Sequence, residues 1–160
     1  MKTIKNYTAQ LKSQKGFTLI ELLVVIGILA VLLAITLIAI NPARQFQQAN
    51  NTQRSSDVNA ILNAVGQYMV DNNGDLSALG IPSATPATIN SSGGANTVDI
   101  CTALVPTYIA ELPVDPQTGS WVDCTNYDTQ YEIVEAANNR ITVSAPDTEP
   151  AGSTAISVTR

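Results

Sequence analysis

The chain has 160 residues, 45% of them hydrophobic, which is enough for one domain plus an appendage. Its formal charge of −5 is unevenly spread: all four lysines (Lys2, Lys5, Lys12, Lys15) precede Gly16, whereas beyond Gly16 only Arg44, Arg54, Arg140 and Arg160 stand against all 13 acids. A chain starting after Gly16 would carry a side-chain charge of −9, which excludes the polyanion-binding classes that run on Lys and Arg, so no direct nucleic-acid binding is expected.

In chain order, the first element is a basic leader over residues 1–16. The second is an apolar segment over 17–41, in which Leu22 to Ile40 carries no charge. At about 1.5 Å per residue, Phe17 to Ile40 makes a helix of roughly 36 Å, long enough to span a bilayer. It is too long for the core of a cleavable secretory signal, and no A-x-A site follows it. The lysine-rich side faces the cytoplasm by the positive-inside rule, so the remainder is expected outside.

Glu21 is the anomaly of this segment. A carboxylate inside a membrane costs several kcal/mol unless it is paired or near the interface. Snorkelling to the cytoplasmic interface is one answer. Cleavage between Gly16 and Phe17 is another, because it would create an ammonium at Phe17, one helical turn from the acid.

Pro42 then bends the helix or restarts it with Asn41 as N-cap. Residues 42–73 form its amphipathic second half. Val58, Ile61, Leu62, Val65 and Met69 fall on one stripe, which is expected to pack against the protein's own sheet. Asp71-Asn72-Asn73-Gly74 supplies the stop. An unbroken helix from Phe17 to Asp71 would be about 80 Å long.

Residues 74–160 read as a C-terminal loop and sheet domain. Leu76 to Val98 is rich in Ser, Thr, Pro and Gly and is expected to be a long loop with little regular structure. Thr102 to Pro113 gives a short helical turn and then extended chain, and Asp115 to Gly119 a turn. Tyr131 to Val134 and Ile141 to Val143 form a hairpin around Asn138-Asn139. Ala155 to Val158 adds an edge strand or stays loose.

Cys101 and Cys124, both in the part expected outside, read most simply as a disulfide; two free thiols are the alternative. Asp115, Asp123 and Asp128 could offer oxygens to calcium, but no EF-hand spacing is present and solvated loop acids are the default, so no metal and no cofactor is assigned. Asn6-Tyr7-Thr8 and Asn90-Ser91-Ser92 fit the glycosylation acceptor pattern. No serine, cysteine or lysine sits in a recognisable nucleophile motif, so the chain is not read as an enzyme.

Lys15-Gly16-Phe17-Thr18-Leu19-Ile20-Glu21, followed by the apolar run, resembles the prepilin signature of the type IV pilin and pseudopilin family, a class III signal sequence. The resemblance covers about residues 13 to 40. It implies an α+β pilin fold: a long N-terminal helix, transmembrane in its first half, packed on a small antiparallel sheet. It also implies that a prepilin peptidase cuts after Gly16, that Phe17 becomes the N-methylated terminus, and that Glu21 pairs with the Phe17 ammonium of an adjacent subunit. The partners so implied are identical or homologous pilin subunits in a helical filament, the peptidase, an inner-membrane assembly platform and, before assembly, the membrane itself. The function implied is that of a type IV pilus subunit, first a single-pass protein of the cytoplasmic membrane and then extracellular. A pseudopilin of a type II secretion system or competence pseudopilus, and a plain membrane-anchored adhesin, are the alternatives.

Overall fold

A computed structural model describes residues 16–136 and 138–160. The leader lysines and Asn6 lie outside the described residues.

Thr18 opens the first helix, α1 (Leu19–Ala39). Its extended backbone and side-chain oxygen, which accepts the Glu21 N–H at 3.2 Å, satisfy a donor that the first turn would otherwise leave orphaned. Apolar residues occur all round α1, and no residue of it is buried within this chain. A helix with no polar face and no covering needs lipid or other helices around it. Its 21 residues meet the length and composition for crossing a bilayer. Residues Gly16 to Pro42 belong to one structural unit and Ala43 to Arg160 to a second, and each is described by itself.

Of the two readings at Pro42, a bend or a restart, the chain takes the restart. Ile40 caps α1 with non-helical dihedrals, Asn41 is irregular, and α2 (Pro42–Asp71) starts afresh at the proline. The physical reason is the one that proline imposes: no N–H to donate, and a preceding residue pushed out of helical geometry. α2 ends as its sequence demands. Asn73 adopts φ 55° and the Gly74 N–H reaches back to the Met69 carbonyl at 2.8 Å, a Schellman-type bond.

The second unit is a six-stranded sheet with α2 contributing to its core. The strands are β1 (Ala87–Asn90), β2 (Thr97–Val98), β3 (Ser120–Asp123), β4 (Asn126–Ala136), β5 (Arg140–Ala145) and β6 (Ile156–Thr159), with a short helix α3 (Cys101–Leu104) between β2 and β3. The sheet order is β2-β1-β4-β5-β6, with β3 pairing the first part of β4. All pairings are antiparallel except β1 with β2, which makes the sheet mixed. The stripe Val58, Ile61, Leu62 and Val65 is fully buried, with Met69 packed at its margin, against Ile89, Tyr131, Ile133, Ile141 and Val143. The expected Asn138-Asn139 hairpin is present, in register Val134↔Thr142, with Ile141, Val143 and Ala145 on the buried face. The C-terminal segment takes its edge-strand option as β6, pairing β5.

Leu76 to Val98 corrects the loop expectation. It contains a 3-10 turn at Ser77–Leu79 and both β1 and β2, and it buries Leu76, Leu79, Ile81, Ala87, Ile89 and Val98. Its polar composition hides a period-two pattern too short to stand above the Ser and Thr around it.

Candidate functional site

Gly16 and Phe17 lie exposed in irregular chain ahead of α1, and the Phe17 side chain is 80% exposed. Among the described residues nothing lies within 4 Å of where a Gly16 side chain would start. Thr18 and Glu21 form a reciprocal capping box: the Thr18 N–H points to Glu21 Oε2 at 3.5 Å, and the Glu21 N–H donates to Thr18 Oγ1. Glu21 therefore sits at the positive end of the helix dipole, where a carboxylate is favoured. The helix itself thus supplies part of the answer to the anomaly. Sequence reasoning named Glu21 but missed Thr18, although Thr18-Leu19-Ile20-Glu21 is the S/T-x-x-E pattern of that box. The structure brings Thr18 and Glu21 together; it places neither Gly16 nor Phe17 against another residue of the site.

Cys101 and Cys124 form a disulfide, with Cα atoms 5.3 Å apart. It ties the start of α3 to the turn between β3 and β4. No free cysteine occurs among the described residues.

The three carboxylates considered for calcium are spent on separate partners. Asp123 accepts from Thr125 and Asn126 in its own turn, which holds its carboxyl below the usual range. Asp128 accepts from Gln130. Asp115 is buried against Arg54: Nε donates to Oδ2 at 2.6 Å and Nη2 to Oδ1 at 3.2 Å. Among the described residues no group of three or more His, Cys, Asp or Glu could hold a metal.

Arg54 was legible in the sequence only as one of four arginines. It is in fact the largest fully buried side chain, projecting from α2. Besides Asp115 it donates to Asn51 Oδ1, Gln117 Oε1 and Glu149 Oε2. Burial works against the Asp115 carboxylate, but the Arg54 bonds and the Gln117 and Thr118 N–H groups outweigh it and hold its carboxyl below the ordinary value. The pair sits where the sheet is split. β4 meets β3 along its first residues and β5 along its last, and between them the Thr129 carbonyl takes the Asp115 N–H at 3.0 Å. Nearby the Tyr131 hydroxyl donates to Asp57 Oδ2 at 2.8 Å, linking sheet to helix, and burial raises the Asp57 carboxyl.

Residues 11–37 match the family described as the prokaryotic N-terminal methylation motif. The chain is thus similar, over this segment, to proteins that carry that motif. Among particular proteins it is similar to the type IV wide pilus major component PilA4 of Thermus thermophilus, 38% identical over 88 residues, which cover 51% of this chain and 65% of the relative. The chain therefore spans slightly less than two thirds of that relative's length. No solved structure matches the chain. The resemblance to the type IV pilin and pseudopilin family is borne out by the motif and by this relative.

Proposed function

We propose that this chain is the precursor of a structural subunit of a type IV pilus filament, cut after Gly16 by a prepilin peptidase, N-methylated at Phe17 and polymerised through α1. The observation that carries the reading is the methylation motif over residues 11–37, with Gly16, Phe17 and Glu21 in its order and an apolar helix behind them. Its similarity to a pilus major component favours the filament over the secretion or competence pseudopilus.

On this reading the precursor spans the cytoplasmic membrane once, and residues 42–160 lie outside. In the fibre, α1 meets other copies of itself in place of lipid. The transfer from lipid to helix bundle gains little hydrophobic free energy, so packing and one ion pair must set the register. The Phe17 ammonium released by cleavage pairs with Glu21 of a neighbouring subunit and takes the acid over from its own Thr18 N–H. The role is structural, with no reaction assigned to the chain. N-terminal sequencing and mass measurement of fibres sheared from producing cells test it. Chains starting at N-methylated Phe17 are expected; fibres built of chains starting at Met1 would overturn it.

A further inference from the structure

Three Asn-x-Ser/Thr triplets occur in the chain: Asn6-Tyr7-Thr8, Asn50-Asn51-Thr52 and Asn90-Ser91-Ser92. The tertiary structure distinguishes the last two. Asn50 lies inside α2, and its Nδ2 already donates to Glu149 Oε2 at 2.7 Å. The neighbouring Asn51 exchanges two further bonds with the Glu149 backbone. A glycan on Asn50 would have to break the first bond and push the 146–153 segment off the helix.

Asn90 is placed differently. It ends β1, and the strand's burial alternates so that Ala87 and Ile89 face the core while Thr88 and Asn90 face away. Its Oδ1 accepts the Ser92 N–H at 2.6 Å, closing a turn that brings the residue bearing the acceptor hydroxyl back toward the carboxamide. No hydrogen bond from Asn90 Nδ2 is found among the described residues. Asn90 is itself half-buried, and the five residues that follow Ser91, from Ser92 to Asn96, are all exposed and include Gly93 and Gly94, so its side chain borders an open turn.

We propose that Asn90 is the acceptor of an N-linked oligosaccharide. The inference rests on the reading above for one point only, that residues 42–160 are exported and so meet a membrane-bound glycosyltransferase. The donor is an oligosaccharide joined to a polyprenyl diphosphate. Asn90 Nδ2 attacks the anomeric carbon, the C–N bond forms as the C–O bond to the diphosphate breaks, the amide proton passes to a base of the transferase, and the lipid diphosphate leaves. No oxidant or reductant is consumed. A glycan here would cover the β1–β2 turn with a bulky hydrated group on the sheet face away from α2, leaving the core untouched.

Chains purified from the producing organism's surface are digested and the peptides weighed. The Asn90 peptide is expected to carry a hexose-containing addition and the Asn50 peptide none. Asn90→Gln and Ser92→Ala should each abolish the addition, and Ser92→Thr should retain it. Because Ser92 is exposed and Asn90 only half-buried at the end of β1, with its side chain on the face away from the core, circular dichroism of the variants is expected to be unchanged, which separates loss of the acceptor from loss of fold. A bare Asn90 on chains that begin at Phe17 overturns the glycan inference alone. Chains beginning at Met1 overturn the cleavage reading instead, and a 42–160 segment that a protease added to intact cells cannot reach overturns the export reading. Modification persisting in Ser92→Ala, or found at Asn50, overturns the argument from the turn.

Discussion

At the scale of single residues, Glu21 and Arg54 pose the same problem in different solvents: a charge where water is scarce. Glu21 has its own capping box, so Glu21→Ala removes a cap together with the proposed partner of the Phe17 ammonium. The cap alone is worth about 0.5–2 kcal/mol to the helix and does not govern insertion of a segment this apolar. Glu21→Ala is therefore expected to insert and be cut normally, as read by mass, yet to fail to enter fibres. Normal fibres from that variant would refute the pairing. Arg54 answers its own burial with Asp115. Removing one partner of a buried pair strands the other charge, so Arg54→Met should cost about 3–5 kcal/mol in unfolding free energy. Adding Asp115→Asn should recover part of that loss. The asparagine keeps an oxygen for the Gln117 and Thr118 N–H groups and no longer buries an unpaired charge. Denaturant titrations of both variants check the non-additivity.

At the scale of elements, the turn carrying Asp115 is held by Gly119. A Cβ on Gly119 would come within 2.6 Å of the Asp115 backbone nitrogen and 2.7 Å of Val114 Cβ. Backbone cannot yield as a flexible side chain can, so Gly119→Ala must shift the turn and loosen the Arg54 pair. A loss of roughly 1–3 kcal/mol is expected, with little further loss when combined with Arg54→Met. The disulfide spans 23 residues of chain and fastens α3 to the β3–β4 turn. Replacing Cys101 and Cys124 together by serine should lower stability by about 3 kcal/mol, seen as a lower melting temperature of the double variant relative to the oxidised protein.

At the scale of the whole molecule, the pH response follows from two carboxyls shifted in opposite directions, the buried Asp115 and the half-buried Asp57. Asp115 is held below the ordinary aspartate value, so its contribution is full above that value and is lost as pH falls through the lower folded one. Asp57 is raised, so its neutral form is the favoured one and its contribution is lost as pH rises through its folded value. Melting temperature is therefore expected to drop steeply on acidification below about pH 4, and the drop should be shallower in Asp115→Asn. Asp57→Asn, which keeps an oxygen for the Tyr131 hydroxyl, should flatten the opposite limb and be tolerated near neutrality. An unchanged acid limb in Asp115→Asn would show that other carboxylates carry it.

How much was legible follows from the range over which each signal acts. The apolar run from Phe17, the break at Pro42, the stripe Val58-Ile61-Leu62-Val65 and the stop at Asn73-Gly74 are set by neighbours within a turn or two, and composition and spacing alone determined them. The Cys101–Cys124 disulfide was the simplest expectation from two cysteines, and the structure decided it over two free thiols. What only the tertiary structure decided lies where residues far apart in sequence meet. Strands β1 and β2 became visible once β4 paired with β1, since the alternation of four polar-rich residues is too short to declare itself. Arg54, legible only as one of four arginines, and Asp115, read by default as a solvated loop acid, turned out to be one buried pair separated by 61 residues. The sequence records the charge of each residue; whether that charge lies in water or against its partner depends on packing, and packing is a property of the folded chain.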